Sequence, residues 1–512
     1  MLRWLDDAIV YEIYPVSFYD SNGDGRGDLN GVTEKIPYLK ELGINTVWMN
    51  PFFKGPFRDA GYDISDYCAV DSQFGTIEDF RAMAKALHDN GIRLIIDLVI
   101  GHTSDEHPWF LESRKRNPNP KYKDYYIWTE DCFTNAPDSI KGIAPRDGNY
   151  IVNYYAFQPA LNYGYGEVNA PSWQMKYTDE RLTPLRNEII NIIKFWIDQG
   201  ADGFRVDMAG SLVKNDPNGE GIKWVWNKII TEVKAYAPEC CFMSEWGNSV
   251  RAIESGFDFD YLCHATDGYN QIFRSEPMSN IMRYHERFGN SYFCENGKGS
   301  MQEFLRYTKI LHSLEEKGGF SLPSGFHDVI RIAAQKSINQ LKCIFAFILT
   351  YKTIPQIYYG DEIGIKHNFK VHKDGGYVRT GARTPMQWNE SAHRGFTTAR
   401  RVYLPTDNRK TCSVEYQKNK EDSLWNTVRV LNTLHTEHKA LHYSGDLKVL
   451  QSGYPLVYIR KSDKERIFVA INPSSETQVI DCKAKTALLS NICNFKDGKL
   501  TLNKESFFIG RL

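Results

Sequence analysis

The chain has 512 residues, of which 42% are hydrophobic and 24% are charged. These fractions are typical of a globular protein and exclude the disordered, collagen-like and coiled-coil classes. The 62 basic and 63 acidic residues leave a formal net charge of −1. Because a protein that neutralises many phosphates carries a basic excess, we expect no nucleic-acid partner. At roughly 150 residues per domain, the length predicts several domains or one large barrel with appended domains.

The sequence contains no run that approaches the ~20 apolar residues of a membrane span. Its first residues also lack the apolar core of a signal peptide. The ten cysteines are scattered without a CxxC pair, which indicates reduced thiols rather than a zinc site or a disulfide framework. We therefore expect a cytoplasmic protein that does not associate with a membrane.

A unit of amphipathic helix, glycine and short apolar strand recurs along the chain. In its clearest copy Thr183 and Pro184 begin a helix and Gly200 ends it. Helices are predicted near 32–42, 77–90, 183–199 and 222–237, and strands at 9–14, 44–49, 92–99, 201–207, 241–245, 256–263, 321–328 and 354–360. About eight strands alternating with helices predict an α/β protein, and this length favours a (β/α)8 TIM barrel over an open sheet.

Two segments interrupt the repeating unit. Residues 103–170, which follow the third strand, are rich in Pro, Asn, Tyr and Gly and are predicted to form an inserted domain above the active face of the barrel. Residues 443–512 show short alternating apolar runs, which predict a C-terminal antiparallel β-sandwich domain. The barrel is then assigned to residues 1–102 and 171–442.

Charged residues gather where the predicted strands end. Arg205 and Asp207 end the fourth strand, Glu245 ends the fifth, and His327 and Asp328 end the seventh. A charged group at this position points to the mouth where barrel enzymes work, whereas one in mid-strand is buried at high cost. A single carboxylate at a strand end is often structural, but three with an arginine and a histidine predict an active site.

These segments resemble the conserved regions of the α-amylase family of glycoside hydrolases. The resemblance rests on Gly203-Phe204-Arg205-Val206-Asp207, on Glu245, on His327-Asp328 and on Gly360-Asp361-Glu362-Ile363-Gly364, and it follows the family's order along the whole chain. It implies a catalytic barrel, an inserted domain after strand three and a C-terminal β domain. It also implies that no organic cofactor is used.

The resemblance assigns roles to the site residues. Asp207 is the expected nucleophile, Glu245 the acid/base and Asp328 the third carboxylate, which holds sugar hydroxyls. Retaining cleavage needs such a carboxylate pair, roughly 5 Å apart. Arg205 is expected to keep Asp207 ionised while Glu245 stays protonated. Expected hydrogen-bond donors to the same sugar ring are His102 and His327.

Two further segments resemble the α-glucosidase and oligo-1,6-glucosidase branch of the family. They are Asp59-Ala60-Gly61-Tyr62-Asp63 and Gly381-Ala382-Arg383-Thr384-Pro385-Met386-Gln387-Trp388. The resemblance implies that Asp59 and Arg383 grip the non-reducing-end glucose and that Tyr62 stacks on it. The expected substrate is therefore a small oligosaccharide, from which glucose is released one unit at a time.

A second motif runs from Asp20 to Asp28 as DSNGDGRGD. Oxygen side chains at alternate positions, with glycines between them, suit a hard cation such as calcium. The same loop in the α-glucosidase branch binds calcium away from the catalytic centre. The resemblance implies a structural Ca²⁺ with Asp20, Asn22, Asp24 and Asp28 as side-chain ligands and Arg26 as a carbonyl ligand.

Some positions depart from the family pattern and leave alternatives open. Gly101 and Phe326 each stand where the family usually has Asn, and Met208 stands where related enzymes carry Val or Ala. Linkage preference, α-1,4 or α-1,6, therefore stays open, as does oligomeric state. The main alternatives are a transglucosidase or phosphorylase with the same covalent intermediate, an endo-acting amylase, and a non-catalytic sugar-binding relative.

Overall fold

Eight parallel strands close into a barrel in the computed structural model, which describes residues 2–142, 144–263, 266, 268–274, 291–373 and 377–512. The strands are β1 (Val10–Ile13), β2 (Thr46–Met49), β3 (Arg93–Leu98), β4 (Gly203–Val206), β5 (Cys241–Ser244), β6 (Phe259–Tyr261), β7 (Gly319–Pro323) and β8 (Ile354–Tyr358). Each strand pairs with its neighbours in sequence, and β1 completes the ring against β8, where Tyr11 lies opposite Ile357. The predicted (β/α)8 barrel is confirmed.

Helices surround this barrel and bury their apolar faces on it. In the described ranges they are α1 (Leu29–Glu34), α2 (Ile36–Leu42), α3 (Ile77–Asp89), α4 (Pro108–Ser113), α5 (Thr183–Gln199), α6 (Glu220–Tyr236), α7 (Ser249–Glu254), α8 (Tyr269–Phe273), α9 (Gln302–His312), α10 (Ile338–Thr350), α11 (Val414–Lys418) and α12 (Leu424–Glu437). A capping box of Thr76 and Asp79 begins α3. Gly200 ends α5 in the left-handed conformation, with φ 113°, which leads the chain directly into β4.

The structure differs from the sequence prediction at two of these elements. The helix predicted near 32–42 is two short helices, because Pro37 begins α2 as a separate helix. Strand β7 ends at Pro323 and not near residue 328, since Pro323 has no N–H to continue the hydrogen-bonded ladder. His327 and Asp328 therefore lie in the loop after β7 and not at the end of the strand.

The inserted segment 103–170 returns across the mouth of the barrel. The N–H of Thr103 donates to the carbonyl of Pro159, and that of Leu161 donates to the carbonyl of Gly101 at 3.1 Å. Among its described residues the regular structure consists of α4 and an antiparallel pair, Ser139–Ile140 with Tyr150–Ile151. This path places Asn153 and Tyr154 above the barrel strands.

The C-terminal region is one six-stranded antiparallel sheet. Its strands are β9 (Asp446–Gln451), β10 (Leu456–Lys461), β11 (Arg466–Asn472), β12 (Gln478–Asp481), β13 (Thr486–Lys496) and β14 (Lys499–Arg511). Strand β14 is long enough to pair with β11, β12 and β13, and so connects all the strands by hydrogen bonds. The expected sandwich packing stays a prediction. The antiparallel character is as predicted.

Among the described helices, none combines the length and the apolar character that crossing a bilayer requires.

Candidate active site

A cavity of about 410 Å³ opens at the carboxyl ends of the barrel strands. Asp207 directly follows β4, Glu245 directly follows β5, and Asp328 lies in the loop after β7. The side chains of all three line the cavity. The structure thus brings together the three carboxylates that the sequence singled out.

The guanidinium of Arg205 contacts both Asp207 and Glu245. Its Nη1 lies 3.1 Å from Asp207 Oδ1, and its Nη2 lies 2.7 Å from Glu245 Oε2. Arg205 is fully buried on β4 and also pairs with Asp97 of β3. Two oxygens that contact one planar guanidinium are at most about 8 Å apart. This geometry is compatible with the roughly 5 Å separation of carboxyl groups in retaining glycosidases.

The turn after Asp207 is shaped by Met208 and Gly210. Met208 adopts φ 43° and ψ 43°, a left-handed conformation that is costly for a residue with a side chain. In this conformation its N–H donates to Glu245 Oε2 at 3.2 Å. A Cβ on Gly210 would lie 2.4 Å from Trp246 Nε1, so only glycine lets the Trp246 ring approach the cavity wall here. The turn therefore connects Asp207, which follows β4, with Glu245, which follows β5.

The protonation of Asp207 differs from our expectation. Burial raises the pKa of Asp207 well above its usual value, Arg205 opposes this shift, and the charges of Glu245 and Asp97 add to it. We expected Arg205 to keep Asp207 ionised. The physical reason for the difference is that the one guanidinium is divided among three carboxylates and lies closer to Glu245 than to Asp207. Asp207 thus lies in surroundings that favour its neutral form.

Asp328 is held in the ionised form. Its Oδ1 accepts from Arg383 Nη2 at 2.6 Å and lies 3.2 Å from Arg379 Nη1. Burial opposes the charge, but Arg379, His327 and Arg383 together outweigh it and hold the pKa of Asp328 well below its usual range. Asp328 is therefore the cavity carboxylate that carries a full negative charge across the working pH range.

Asp59 pairs with Arg379 and not with Arg383. Its Oδ1 lies 3.4 Å from Arg379 Nη2, and its Oδ2 accepts from Gln158 Nε2 at 2.8 Å. Arg383 points away, where its Nε donates to the carbonyl of His327. Arg379 precedes Arg383 by one turn and lines the cavity, and the gripping of a terminal glucose by Asp59 and Arg383 stays a prediction. Burial raises the pKa of Asp59 to about 6, which Arg379 only partly offsets.

Tyr62 and His327 form a packed wall of the site. Their rings stack with centroids 5.3 Å apart, and Tyr62 Oη lies 2.8 Å from His327 Nε2. His327 Nδ1 contacts the buried Glu12 at 2.8 Å. Both ring nitrogens of His327 thus face protein groups and only 1% of the side chain is exposed, so it supports Tyr62 and Asp328 rather than reaching into the cavity as expected.

His102 lines the cavity with both ring nitrogens engaged. Nε2 lies 3.0 Å from the carbonyl oxygen of Tyr62, and Nδ1 lies 3.2 Å from Asn153 Nδ2. Burial lowers the pKa of His102 to about 4, so the imidazole is neutral at pH 7. The expected direct donation to a sugar hydroxyl is replaced here by these two protein contacts.

Sequence reasoning missed several groups of the site. Arg379 and Tyr154 line the cavity, and Glu12 lies behind it. The signal for Arg379 was its position four residues before Arg383 in the same segment. Tyr154 lies in the inserted segment that we expected above the mouth, with an exposed fraction of 56%. Nothing in the pattern of β1 distinguished Glu12 from a structural strand residue.

The Asp20–Asp28 loop lies outside this cavity, and its side chains bind the loop backbone. Asp20 Oδ1 and Oδ2 accept from the N–H groups of Gly23 and Gly25, each at 2.7 Å. Asp28 Oδ1 accepts from the N–H of Gly31 at 2.7 Å and begins α1. Asn22 and Asp24 accept backbone N–H bonds in the same way, while Arg26 Nη1 donates to Gln73.

The carboxylates of this loop are engaged with the loop's own backbone. In the described part of the chain, no three acidic, histidine or cysteine side chains converge as a cation site requires. Calcium binding through Asp20, Asn22, Asp24, Arg26 and Asp28 therefore stays a prediction from the sequence, and we derive no step of the chemistry from it.

A closed β/α barrel whose mouth holds an arginine-bridged carboxylate pair beside a third, ionised carboxylate defines an enzyme of the barrel hydrolase type. Residues 12–444 match the family model "Alpha amylase, catalytic domain". The chain therefore belongs to the α-amylase family of glycoside hydrolases.

Proteins of known name are similar over nearly the whole chain. An oligo-1,6-glucosidase of Parageobacillus thermoglucosidasius is 31% identical over an alignment of 555 positions, gaps included. The alignment covers 95% of this chain and 94% of that protein. A trehalose synthase of Thermus thermophilus is 29% identical and matches 93% of this chain and 51% of its own length. The crystal structure of an isomaltulose synthase mutant from Erwinia rhapontici NX5 with D-glucose shares the fold, with a TM-score of 0.83 and 24% identity over 100% of this chain and 99% of that one.

Proposed function

We propose that the protein is a retaining α-glucoside hydrolase that releases glucose from the non-reducing end of short α-1,4 or α-1,6 gluco-oligosaccharides. The observation that carries the proposal is the shared contact of Arg205 with Asp207 and Glu245 at the mouth of the barrel. Similarity to an oligo-1,6-glucosidase over 95% of the chain supports the substrate class.

In the first step Asp207 attacks the anomeric carbon of the glucose unit. The bond from that carbon to the glycosidic oxygen breaks, and Glu245 gives its proton to the leaving oxygen. The product is a covalent glucosyl ester of Asp207. This step requires the proton to reside on Glu245 and the negative charge on Asp207. Arg205 contacts both carboxyl groups, so it stabilises a negative charge on either of them.

In the second step water hydrolyses the ester. Glu245, now ionised, takes a proton from the water, and the hydroxide attacks the same carbon from the face that the leaving group left. Asp207 departs as a carboxylate, and the anomeric configuration is retained. Asp328, already ionised by Arg379 and Arg383, binds ring hydroxyls more tightly as the sugar distorts toward the transition state.

The pairing of Asp59 with Arg379 supports action at a chain end. These two side chains and Asp328 form a charged array on one wall of the cavity, with contacts of 3.4 and 3.2 Å. We propose that this array grips the terminal glucose and leaves no room for a further sugar beyond it. A cavity of this kind accepts short substrates and releases single glucose units.

Transfer of glucose to a sugar acceptor is the second candidate. It uses the same covalent intermediate, and the 29% identity to a trehalose synthase supports it as a candidate. The two candidates differ only in whether water or a sugar hydroxyl attacks the ester. A product analysis at high sugar concentration separates them.

The state of the cysteines supports a location in the cytoplasm, which we propose for the protein. Nine of the cysteines, among them the buried sequence neighbours Cys240 and Cys241, are free thiols. Cytosolic proteins keep their thiols reduced, whereas secreted domains use them in disulfides.

A substrate panel tests the proposed function. Maltose, isomaltose, sucrose, trehalose, panose and starch are incubated with the protein, and NMR follows the products and their anomeric configuration. We expect glucose that is first released as the α-anomer, from the short substrates and only slowly from starch. Rapid release of mixed long fragments from starch, or β-glucose as first product, would overturn the proposal.

A further inference from the structure

Asn153 of the inserted segment connects three parts of the cavity wall. Its Nδ2 lies 3.2 Å from His102 Nδ1 and 3.3 Å from Ser211 Oγ, and its Oδ1 accepts from Lys214 Nζ at 2.9 Å. The same Nδ2 lies 3.8 Å from the sulfur of Met208, the residue after Asp207. One amide thus contacts the loop after β3 and the turn after β4.

The absence of a side chain at residue 101 makes room for this amide. A Cβ on Gly101 would lie 2.8 Å from Asn153 Nδ2, closer than such atoms approach in folded proteins. Gly101 directly precedes His102. The inserted segment therefore places the Asn153 amide beside His102, where residue 101, a glycine, has no side chain.

The charge on Lys214 fixes which way the amide points. Burial lowers the pKa of Lys214 to about 8, so at pH 7 it is still an ammonium with N–H donors and no acceptor. The oxygen of Asn153 must therefore face Lys214, and its NH₂ must face His102. An imidazole nitrogen that receives an N–H is unprotonated, so the proton of His102 is on Nε2, where it donates to the carbonyl of Tyr62.

We propose that Asn153 is a positioning residue that keeps His102 in the neutral Nε2–H form and fixes its orientation by relaying the charge of Lys214. Through Tyr62 and Met208 the same contacts hold the walls on either side of Asp207. The effect on turnover rests on the proposed glucoside hydrolysis, whereas the tautomer of His102 does not depend on any substrate.

Three variants test the relay. Asn153→Asp keeps an acceptor for Lys214 but presents only acceptors to His102 Nδ1, so we expect His102 to take up a second proton on Nδ1 while Nε2–H still donates to the carbonyl of Tyr62. Asn153→Leu removes the relay. Gly101→Asn combined with Asn153→Gly places an amide on the strand side in the vacated space and should recover much of the lost activity. Asn169→Asp, at an exposed position of the same segment, is the matched control.

Two measurements give the outcome. NMR of protein labelled with ¹⁵N-histidine, with His102 assigned through His102→Gln, reads the tautomer directly. We expect the neutral Nε2–H form in the wild type, a doubly protonated His102 in Asn153→Asp, and a fall in kcat of about 10- to 100-fold in Asn153→Asp and Asn153→Leu at little-changed Tm. An Nδ1–H form in the wild type, a neutral His102 in Asn153→Asp, or wild-type kcat in both single variants would overturn the proposal. A wild type with the expected tautomer but no glucosidase activity would instead refute the proposed function alone.

Discussion

Arg379 Nη1 lies 3.2 Å from Asp328 Oδ1, and through its other terminal nitrogen Arg379 also reaches Asp59 at 3.4 Å. One guanidinium thus joins two carboxylates that come from loops far apart in the sequence. Because Arg379 lines the cavity while Arg383 is buried behind it, we expect Arg379 to be the cation that contacts a bound glucose. This arrangement leads to the first prediction.

Arg379→Gln should raise KM for short glucosides and lower kcat/KM by about 30-fold. Truncating one partner of a largely buried charge pair costs roughly 2 kcal/mol or more, which corresponds to that factor. Steady-state kinetics on isomaltose and maltose measure the change. The matched control is Arg58→Gln, since Arg58 pairs with Asp105 on the rim and its side chain is 37% exposed. Equal kinetics in the two variants would contradict the assignment of Arg379 to the glucose subsite.

The coupled pair of Asp207 and Glu245 predicts a bell-shaped pH dependence of kcat/KM. With both groups protonated there is no nucleophile, and with both ionised there is no acid, so activity needs one proton on the pair. Burial raises the pKa of Asp207 well above its usual value, although Arg205 opposes the shift, so the acid limb should lie at a higher pH than for an exposed aspartate. Kinetics from pH 4 to pH 10 should show both limbs.

The variant Glu245→Gln tests the origin of the alkaline limb. With a substrate whose leaving group needs no proton, such as α-glucosyl fluoride, this variant should keep a measurable rate and lose the fall at high pH. The acid limb should stay close to its wild-type position, because Glu245 is still protonated over that limb and is as uncharged as the glutamine that replaces it. An alkaline limb that survives in Glu245→Gln would show that another group controls it.

The buried Glu12 should make the folded state less stable as the pH rises. Burial raises the pKa of Glu12 well above its usual value, so the folded protein keeps a proton that the unfolded chain releases above about pH 4.3. The folded state then binds more protons than the unfolded state, and stability falls with increasing pH until the folded pKa is reached. Glu12→Gln removes this loss.

Urea unfolding at pH 5 and pH 8 measures the effect. The difference in unfolding free energy between Glu12→Gln and the wild type should grow in favour of the variant by roughly 1 kcal/mol per pH unit. Glu421→Gln changes an exposed carboxylate and serves as the control, with no such trend expected. A difference that stays constant with pH would show that Glu12 is ionised in the folded protein.

Much of this site follows from the sequence because of how barrel strands end. The helix, glycine and strand order located β4 and β5 within two residues, and Asp207 and Glu245 directly follow them. A parallel barrel brings such ends to one face, so the two residues could be predicted to meet. The neighbouring Arg205 on β4 could be placed beside them for the same reason.

The other features of the site depend on loop paths and side-chain packing, which hydrophobic periodicity and secondary-structure propensity do not encode. Arg379 and Arg383 lie in one segment, and only the folded turn determines which of them faces the cavity. The early end of β7 at Pro323 moved His327 into a loop, where it packs against Tyr62. The raised pKa of Asp207 arises from burial and from three carboxylates around one arginine, which no single strand reveals.

The Asp20–Asp28 loop gives a prediction in which sequence and structure differ. The residue pattern predicts that chelator-treated protein binds one Ca²⁺ per chain in calorimetric titration and gains thermal stability, and that Asp24→Asn weakens both. For Asp20 and Asp28 to ligate the ion, the carboxylate oxygens that now accept from backbone N–H groups must turn toward it. If no binding heat is measured and the Tm is unchanged, the calcium prediction is wrong, and these carboxylates only cap backbone N–H groups of the loop.

The central claim is that Asp207 forms a covalent bond to glucose while Glu245 handles the proton. It is tested most directly by incubating the protein with a fluorinated glucosyl donor whose ester hydrolyses slowly, followed by mass spectrometry of the digested protein. We predict one glucosyl adduct per chain on the peptide that contains Asp207, and none in Asp207→Asn. An adduct on another residue, or turnover of the donor to β-glucose without any adduct, would contradict the account.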